Sequence, residues 1–381
     1  VEQIYLDYAA TTFVKDEVFE AMRPFFDMKY GNSASIHTLG REARKAQEKA
    51  RKQIAEAFGV KSETVYFTSG GSESDNWAVK GAAFANMDKG KHIIISSIEH
   101  NAVAAPCEYL KKFGFEITLL PVDEDGRIRI DDLKKAIRDD TILISIMYAN
   151  NEIGSIQPVE EAAKIAKEHG VLFHSDAVQA AGMLNIDLSE SAIDMMSISG
   201  HKLYAPNGIG ALYIREGVNI DNLIHGGSHE RNRRAGTENI AGIVGLGKAV
   251  ELSEKLKSEE MARLTALRDL LIDRVLSEVP DVKLNGHRTE RLPNNVNFSF
   301  KDVDGEALLI SLDLMGIFGS TGSACSSASA APSRVLDALG LDYRWMNGSL
   351  RLTLGSKTSK QAIDKTVEAI KETVERLRKI S

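Results

Sequence analysis

Ser197-Ile198-Ser199-Gly200-His201-Lys202 follows Asp176-Ala177-Val178-Gln179 in the chain, and each stretch lies at the polar end of a short apolar run. The runs, Val171-Leu172-Phe173 and Met195-Met196-Ser197-Ile198, read as buried parallel strands. The ends of such strands are where open α/β sheets gather ligand-binding groups. A carboxylate there is costly to bury without a cationic partner. The Lys202 amine can form a Schiff base with a carbonyl, and Asp176 can pair with a protonated pyridine nitrogen. Together those two functions are the protein's side of pyridoxal phosphate (PLP) chemistry. Alone, Gly200-His201-Lys202 reads as an exposed turn, and its pairing with Asp176 and the motifs below is what reverses that reading.

A cofactor of this kind needs an anion site, a ring contact and groups for its substrate. Val65-Tyr66-Phe67-Thr68 reads as a strand, followed by Ser69-Gly70-Gly71-Ser72 and a helix starting near Glu73. Glycines such as Gly71 let backbone amides approach a phosphate, the helix N-terminus adds its positive dipole end, and Ser72 offers a hydroxyl. His100, in Glu99-His100-Asn101, follows another apolar strand; its imidazole can stack on a ring and shuttle protons, or simply cap the helix beginning near Ala102. Gln179 can hydrogen-bond a phenolic oxygen, and Asn150-Asn151-Glu152 can supply an amide to substrate or cofactor. Gly319-Ser320-Thr321-Gly322-Ser323-Ala324-Cys325-Ser326-Ser327-Ala328-Ser329 is a small-residue loop with one thiol at its middle, suited to carrying a nucleophile. Cys107 instead reads as a buried structural cysteine on the amphipathic stretch 102–112. Thr237, in a polar turn before a helix at 240–249, can cap that helix or contact a phosphate. His225 and His229 are four apart, but Gly226-Gly227 between them argues against a metal site, and no metal is expected.

The elements that must position these groups follow from the apolar pattern. Strand-like runs at 64–68, 92–97, 116–121, 142–147, 171–174, 195–199 and 210–214 alternate with amphipathic stretches such as 160–169, which Gly170 stops. That alternation predicts a mostly parallel sheet covered by helices on both faces. A long helix at 246–279, ended by Pro280, bridges to a second layer with strands at 296–300 and 350–354 and helices at 305–315 and 360–380. The last helix reads as a solvated amphipathic face.

Composition sets the class. The chain has 381 residues, 43% hydrophobic and 27% charged, with a net charge of −7. These values describe an ordinary globular protein and argue against nucleic acid or an anionic membrane as the main partner. No apolar run approaches the roughly 20 residues of a membrane span. With only 2 cysteines and no leader-like start, the expected compartment is the cytoplasm.

Leu6-Asp7-Tyr8-Ala9-Ala10-Thr11-Thr12, Thr68-Ser69-Gly70-Gly71-Ser72-Glu73-Ser74-Asp75-Asn76, Ser199-Gly200-His201-Lys202, His225-Gly226-Gly227 and Gly322-Ser323-Ala324-Cys325 together resemble the class V PLP enzymes, and within them the NifS/IscS-type cysteine desulfurases. The resemblance runs over essentially the whole chain. It implies an α/β, PLP type I aminotransferase fold: a large domain with a seven-stranded, mostly parallel sheet at 13–250, and a smaller α+β domain from 1–12 and 251–381. It makes Lys202 the Schiff-base lysine, Asp176 the partner of the pyridinium nitrogen, Gln179 the partner of the phenolic oxygen and His100 the ring-stacking residue. Gly71, Ser72, Ser199 and His201 would hold the phosphate, with Thr237 from the other subunit of a homodimer. Asn151 and Arg351 would bind the substrate carboxylate, and Cys325 would take the sulfur of L-cysteine as a persulfide for an acceptor such as an iron–sulfur scaffold protein. Two departures stand out: Gly71-Ser72 where relatives usually have Ala-Thr, and Ala330-Ala331-Pro332 where many have Leu-Glu-Pro. The competing readings are a class V aminotransferase or lyase without a thiol step, a selenocysteine lyase, and a catalytically silent docking scaffold.

Overall fold

The structure is a computed structural model that describes residues 3–322 and 333–379, so Cys325 and the rest of its loop from Ser323 lie outside the described residues. Seven strands form the large sheet in the order Val65–Thr68, Gly210–Ile214, Met195–Ser199, Leu172–Asp176, Thr141–Ser145, His92–Ser96 and Glu116–Leu120. Gly210–Ile214 runs antiparallel to both neighbours, and every other pairing is parallel. The expected strands are all present, with ends moved by one or two residues.

Period-two alternation explains why this sheet is apolar on both faces. Ile94, Ile144, Phe173 and Met196 face one core, shared with Ala162, Ala163 and Ala166 of the helix Val159–Glu168. Ile93, Ile95, Leu143 and Met195 face the other, with Trp77, Val103 and Cys107. The helix Val159–Glu168 stops where Gly170 takes φ +69°, a left-handed conformation that glycine adopts without a Cβ penalty.

A separate apolar core gathers Ile4 and Leu6 with Val296, Phe298, Leu308, Leu350, Leu352, Ile363, Val367 and Ile370. Its framework is an antiparallel sheet ordered Ser349–Thr353, Asn295–Phe300, Val282–Leu284, packed with the helices Gly305–Leu314 and Lys360–Arg378. The last helix is therefore solvated on one face only, since Ile363, Val367, Ile370 and Val374 are buried. Ile4–Tyr5 also pairs in parallel with Ile317–Phe318, a contact between distant parts of the chain.

The two helices expected at 240–249 and 246–279 are one continuous element, Ile240–Glu278, of 39 residues. At a rise of about 1.5 Å per residue it spans about 58 Å. Leu246, Ala249 and Val250 belong to the large-sheet core, whereas Leu264, Leu271, Ile272 and Val275 belong to the second core. Among the described residues no helix is long and apolar enough to cross a membrane.

Candidate active site

The C-terminal ends of the parallel strands open into a cavity with about 820 Å³ of empty space, counting its mouth. Its walls include Gly71, Ser72, His100, Asn151, Asp176, Gln179, Ser199, His201, Lys202 and Arg351. Two residues that the family resemblance places in the site are not among them: Thr237 is exposed elsewhere, and Cys325 lies outside the described residues.

The strand Met195–Ser199 delivers Ser199 and then a short 3-10 turn, Gly200–Lys202. Lys202 Nζ donates to the carbonyls of Ala9 and Ala10, each at 2.6 Å. Gln179 Nε2 donates to the same Ala9 carbonyl at 3.0 Å, so the N-terminal segment forms one wall. His201 Nδ1 lies 3.1 Å from Thr11 Oγ1, and burial with the neighbouring Lys202 charge pushes its pKa down to about 4. The imidazole of His201 is therefore neutral at physiological pH.

Asp176, at the end of its strand, is 5% exposed and accepts the Val178 amide at 2.9 Å. Burial raises its pKa, while His100, the Val178 amide and Lys202 act in the opposite direction. His100 caps a helix and lines the cavity. Its Nδ1 accepts the Ala102 amide at 3.1 Å as the N-cap of Asn101–Leu110, and its ring also lines the cavity.

The turn Ser69–Ser72 has the geometry of an anion cradle. Gly70 takes φ +153°, ψ −179°, a conformation essentially reserved for glycine, and serves as N-cap of the helix Gly71–Ala85. The first-turn amides of that helix leave its end facing the cavity beside Ser72. Glu73 fastens the turn, accepting the Ser69 amide at 2.8 Å and a bidentate pair from Arg234 at 2.8 and 2.9 Å. A Cβ on Gly71 would stand 2.8 Å from Val178 Cγ2, so this chain's glycine and valine fit together.

Arg351 is 2% exposed; it donates to Asp7 at 2.8 Å and to the Asn151 carbonyl at 3.1 Å, while its Nε is buried without a partner. Asn150 is not available as a ligand. Its side chain is used up inside its own turn, accepting the amides of Glu152 at 2.8 Å and Ile153 at 3.0 Å and donating to the Ile98 carbonyl at 3.0 Å. The cap of the helix after Thr237 is likewise Asn239, which accepts the Gly242 amide at 3.0 Å. His229 is paired with Glu238 at 2.9 Å.

Sequence reasoning missed the acids behind Asp176. Asp75 and Glu99 are 1% and 3% exposed, and each has one carboxylate oxygen buried without a hydrogen-bond partner. Side-chain ligand atoms of Asp75, His100 and Asp176 lie within 4.8 Å of one another. Burial and the Asp176 charge hold the Asp75 carboxyl well above the usual range. Burial pushes Glu99 up to about 8. His174, two residues before Asp176, is neutral: burial takes its pKa down to about 3, and it sits between Ser145 Oγ at 2.8 Å and Ser197 Oγ at 3.0 Å. The available signal was His174 and Asp176 on one face of a strand, with a lone acid at Asp75 on a mainly buried helix.

These observations fit PLP. A pyridinium would supply the positive charge that the crowded carboxylates lack, the helix end and Ser72 offer donors to a phosphate, and Lys202 offers the amine. A family model described as aminotransferase class-V matches residues 4–366. The cysteine desulfurase IscS of Dictyoglomus turgidum is 56% identical over 379 residues, covering 100% of this chain and 96% of that protein. The IscS of Methanosarcina thermophila is 53% identical over 378 residues, covering 99% of this chain and 93% of that protein. A solved NifS-like protein superposes with a TM-score of 0.93 at 37% identity, covering 99% of this chain and 100% of the other. With this fold, this cavity and relatives so similar over their full length, the chain belongs to the class-V aminotransferases and, among them, to the PLP-dependent NifS/IscS-type cysteine desulfurases.

Proposed function

We propose that this chain converts L-cysteine to L-alanine by passing the substrate sulfur to Cys325. The observation that carries the reading is the convergence of Lys202, Asp176 and His100 on one cavity that also holds Arg351 and Asn151. PLP, when bound, supplies an electron sink for the bonds at the substrate α-carbon. Every other part of the reaction falls to side chains of the protein.

Lys202 would hold the cofactor through its amine, and Nζ, when free of it, takes the α-proton. The Ala9 and Ala10 carbonyls orient Nζ. Asp176 would keep the ring nitrogen protonated, Gln179 would serve the phenolic oxygen and His100 would pack on the ring. Gly71, Ser72, Ser199 and His201 would hold the phosphate, and Thr237 of a second copy would complete that site in a homodimer. Arg351 and Asn151 bind the substrate carboxylate; the place of the Arg351 guanidinium on the cavity wall beside Asn151 supports this. Cys325 thiolate attacks the substrate sulfur: an S–S bond forms and the C–S bond breaks with its electron pair passing to the substrate carbon. Cβ then takes a proton, Lys202 Nζ returns to Cα the proton it removed, the carbon skeleton leaves as alanine, and Cys325 keeps one extra sulfur as a persulfide.

The large-sheet layer at 13–250 forms the cofactor domain, and 1–12 with 251–381 forms the domain carrying the cysteine. The persulfide passes to an acceptor protein such as an iron–sulfur scaffold, in the cytoplasm. The test is to mix PLP-loaded protein with L-cysteine and follow the near-visible cofactor absorbance while assaying alanine and sulfur together. Alanine and transferred sulfur should appear in equal amounts. Pyruvate with free sulfide, or alanine without sulfur on the protein, would overturn the reading.

A further inference from the structure

The segment 323–332 leaves the described chain at Gly322 and rejoins it at Ser333; Ser333 is bonded to a buried carboxylate that also lies beside Gly322. Ser333 Oγ donates to Glu152 Oε2 at 2.6 Å. A Cβ built on Gly322 would stand 3.3 Å from that same oxygen and 4.0 Å from Ser333 Cβ. Glu152 is 6% exposed. We propose that Glu152 is a positioning residue for sulfur transfer, fixing the two flanks of the cysteine-bearing segment at one point beside the substrate site. The inference rests on the reading of Cys325 as the sulfur acceptor.

Glu152 is itself held from both cores. Its amide donates to Asn150 Oδ1 at 2.8 Å, and its carbonyl accepts from Asn297 Nδ2 at 3.1 Å, on the strand Asn295–Phe300. The preceding residue, Asn151, lines the cavity. The upstream flank is tied to the strand of Arg351: Ser320 and Arg351 exchange backbone hydrogen bonds, and Ser349 Oγ donates to the Thr321 carbonyl at 3.0 Å. The downstream flank is tied to the other side. Val335 and Leu336 pack with Ile98, Met147 and Ile153. Arg334 donates to Asn101 Oδ1 at 2.9 Å and to the Glu99 carbonyl at 3.3 Å, on either side of His100 in the sequence. One flank thus belongs to the Arg351 strand and the other to the His100 turn, and the Glu152 carboxylate accepts from Ser333 on the second and lies beside Gly322 on the first.

Covalent geometry gives this anchor its effect. Cys325 is three residues past Gly322, so its Cα stays within about 10 Å of that point. A displacement of about 1 Å between reacting atoms can cost about a hundredfold in rate. A residue that sets where the tether starts therefore acts on bond formation without touching cofactor or substrate.

The experiment uses the PLP-loaded full chain as parent, Glu152→Ala, Glu152→Gln, Ser333→Ala and Cys325→Ala. Each is mixed with L-cysteine, and two signals are followed: the cofactor absorbance change, which reports substrate capture, and the added sulfur on the Cys325 peptide by mass spectrometry after rapid quenching. Glu152→Ala should capture substrate at the parent rate but gain the persulfide about 10- to 100-fold more slowly. Ser333→Ala should shift the same way. Glu152→Gln, whose amide oxygen still accepts from Ser333, should stay within about threefold of the parent. Without any turnover, cofactor-free Glu152→Ala should show faster hydrogen exchange at the Val335 and Leu336 amides, which Ser333 Oγ accepts. Persulfide formation at the parent rate in Glu152→Ala overturns the inference. So does an equal slowing of capture and transfer, which would place the effect in the substrate pocket. Release of sulfide at the parent rate by Cys325→Ala would instead remove the reading beneath it, whatever Glu152→Ala does.

Discussion

Replacing Glu99 by glutamine should change how the stability of this protein depends on pH. Glu99 Oε1 accepts Ser96 Oγ at 2.6 Å and the Met147 amide at 2.9 Å, and Oε2 is buried without a partner. Burial pushes its pKa up to about 8; the two hydrogen bonds oppose that and the Asp176 charge adds to it. An unfolded glutamate titrates near 4.3. Between those values the folded chain keeps a proton that the unfolded chain has shed. The stability linked to Glu99 is therefore fully present below about pH 4.3 and is lost as pH rises towards 8. Each pKa unit corresponds to about 1.4 kcal/mol, so the whole window is worth roughly 5 kcal/mol and the step from pH 5.5 to 7.5 roughly 2–3 kcal/mol. Glutamine has the shape of the neutral acid and retains the Oε1 contacts, but it has no proton to lose. The assay is urea unfolding of cofactor-free parent and Glu99→Gln at both pH values. The parent should lose roughly 2–3 kcal/mol relative to the variant over that step. A relative change below about 0.5 kcal/mol, or one of opposite sign, would show that Glu99 is already ionised in the fold and would refute the burial argument.

Lys202→Ala should remain folded, lose the near-visible band and borohydride trapping of PLP, and lose activity by about a thousandfold or more; trapping through another lysine would refute its assignment. Cys325→Ala should bind PLP and respond spectrally to L-cysteine yet form no persulfide, and near-parent sulfide and alanine output would favour a lyase. Cys107→Ala should keep its activity and lose only about 1 kcal/mol of stability, because Cys107 is 1% exposed and burial pushes its thiol up to about 12. Glu230→Ala should cost about 3–5 kcal/mol in urea unfolding, because it strands the buried Arg51 guanidinium. Glu230 accepts two bonds from Arg51 at 2.8 Å and others from Gln47 and the Phe67 amide, so a loss under about 1 kcal/mol would refute its role as the anchor of that cluster.

The large sheet was legible because its strands are apolar on both faces and end abruptly in chemistry-bearing residues. Met195–Ser199 and Gly210–Ile214 fall where the apolar runs place them. The placing of Lys202 and Asp176 in one pocket followed from strand ends together with the motifs around them. Asp75 did not, because on a helix buried nearly all round a polar residue facing a cavity has the same spacing as one facing solvent. Ile4–Tyr5 and Ile317–Phe318 are two residues each, too short to show any period. The sequence alone could not separate Asn150 from Asn151, because an amide beside a cavity and an amide closing its own turn are the same letters. The long helix Ile240–Glu278 was divided in the sequence reading because its buried face changes partners midway, from one core to the other.

The pairing of Ile4–Tyr5 with Ile317–Phe318 also bears on how the protein is made. Thr353 donates its amide to the Leu6 carbonyl at 2.7 Å, and its hydroxyl accepts the Ala9 amide at 2.8 Å across 344 residues. Leu6 and Ala9 therefore take their places only after Thr353 has been made. The carbonyls of Ala9 and its neighbour Ala10 hold the Lys202 amine. A nascent chain can assemble the whole seven-stranded sheet and still lack one wall of its cavity. Contacts between residues so far apart carry a large loop-closure cost and form late. The lysine is thus set in its working position only after Thr353 has emerged, and a chain stalled before that residue has no finished pocket in which to run the chemistry.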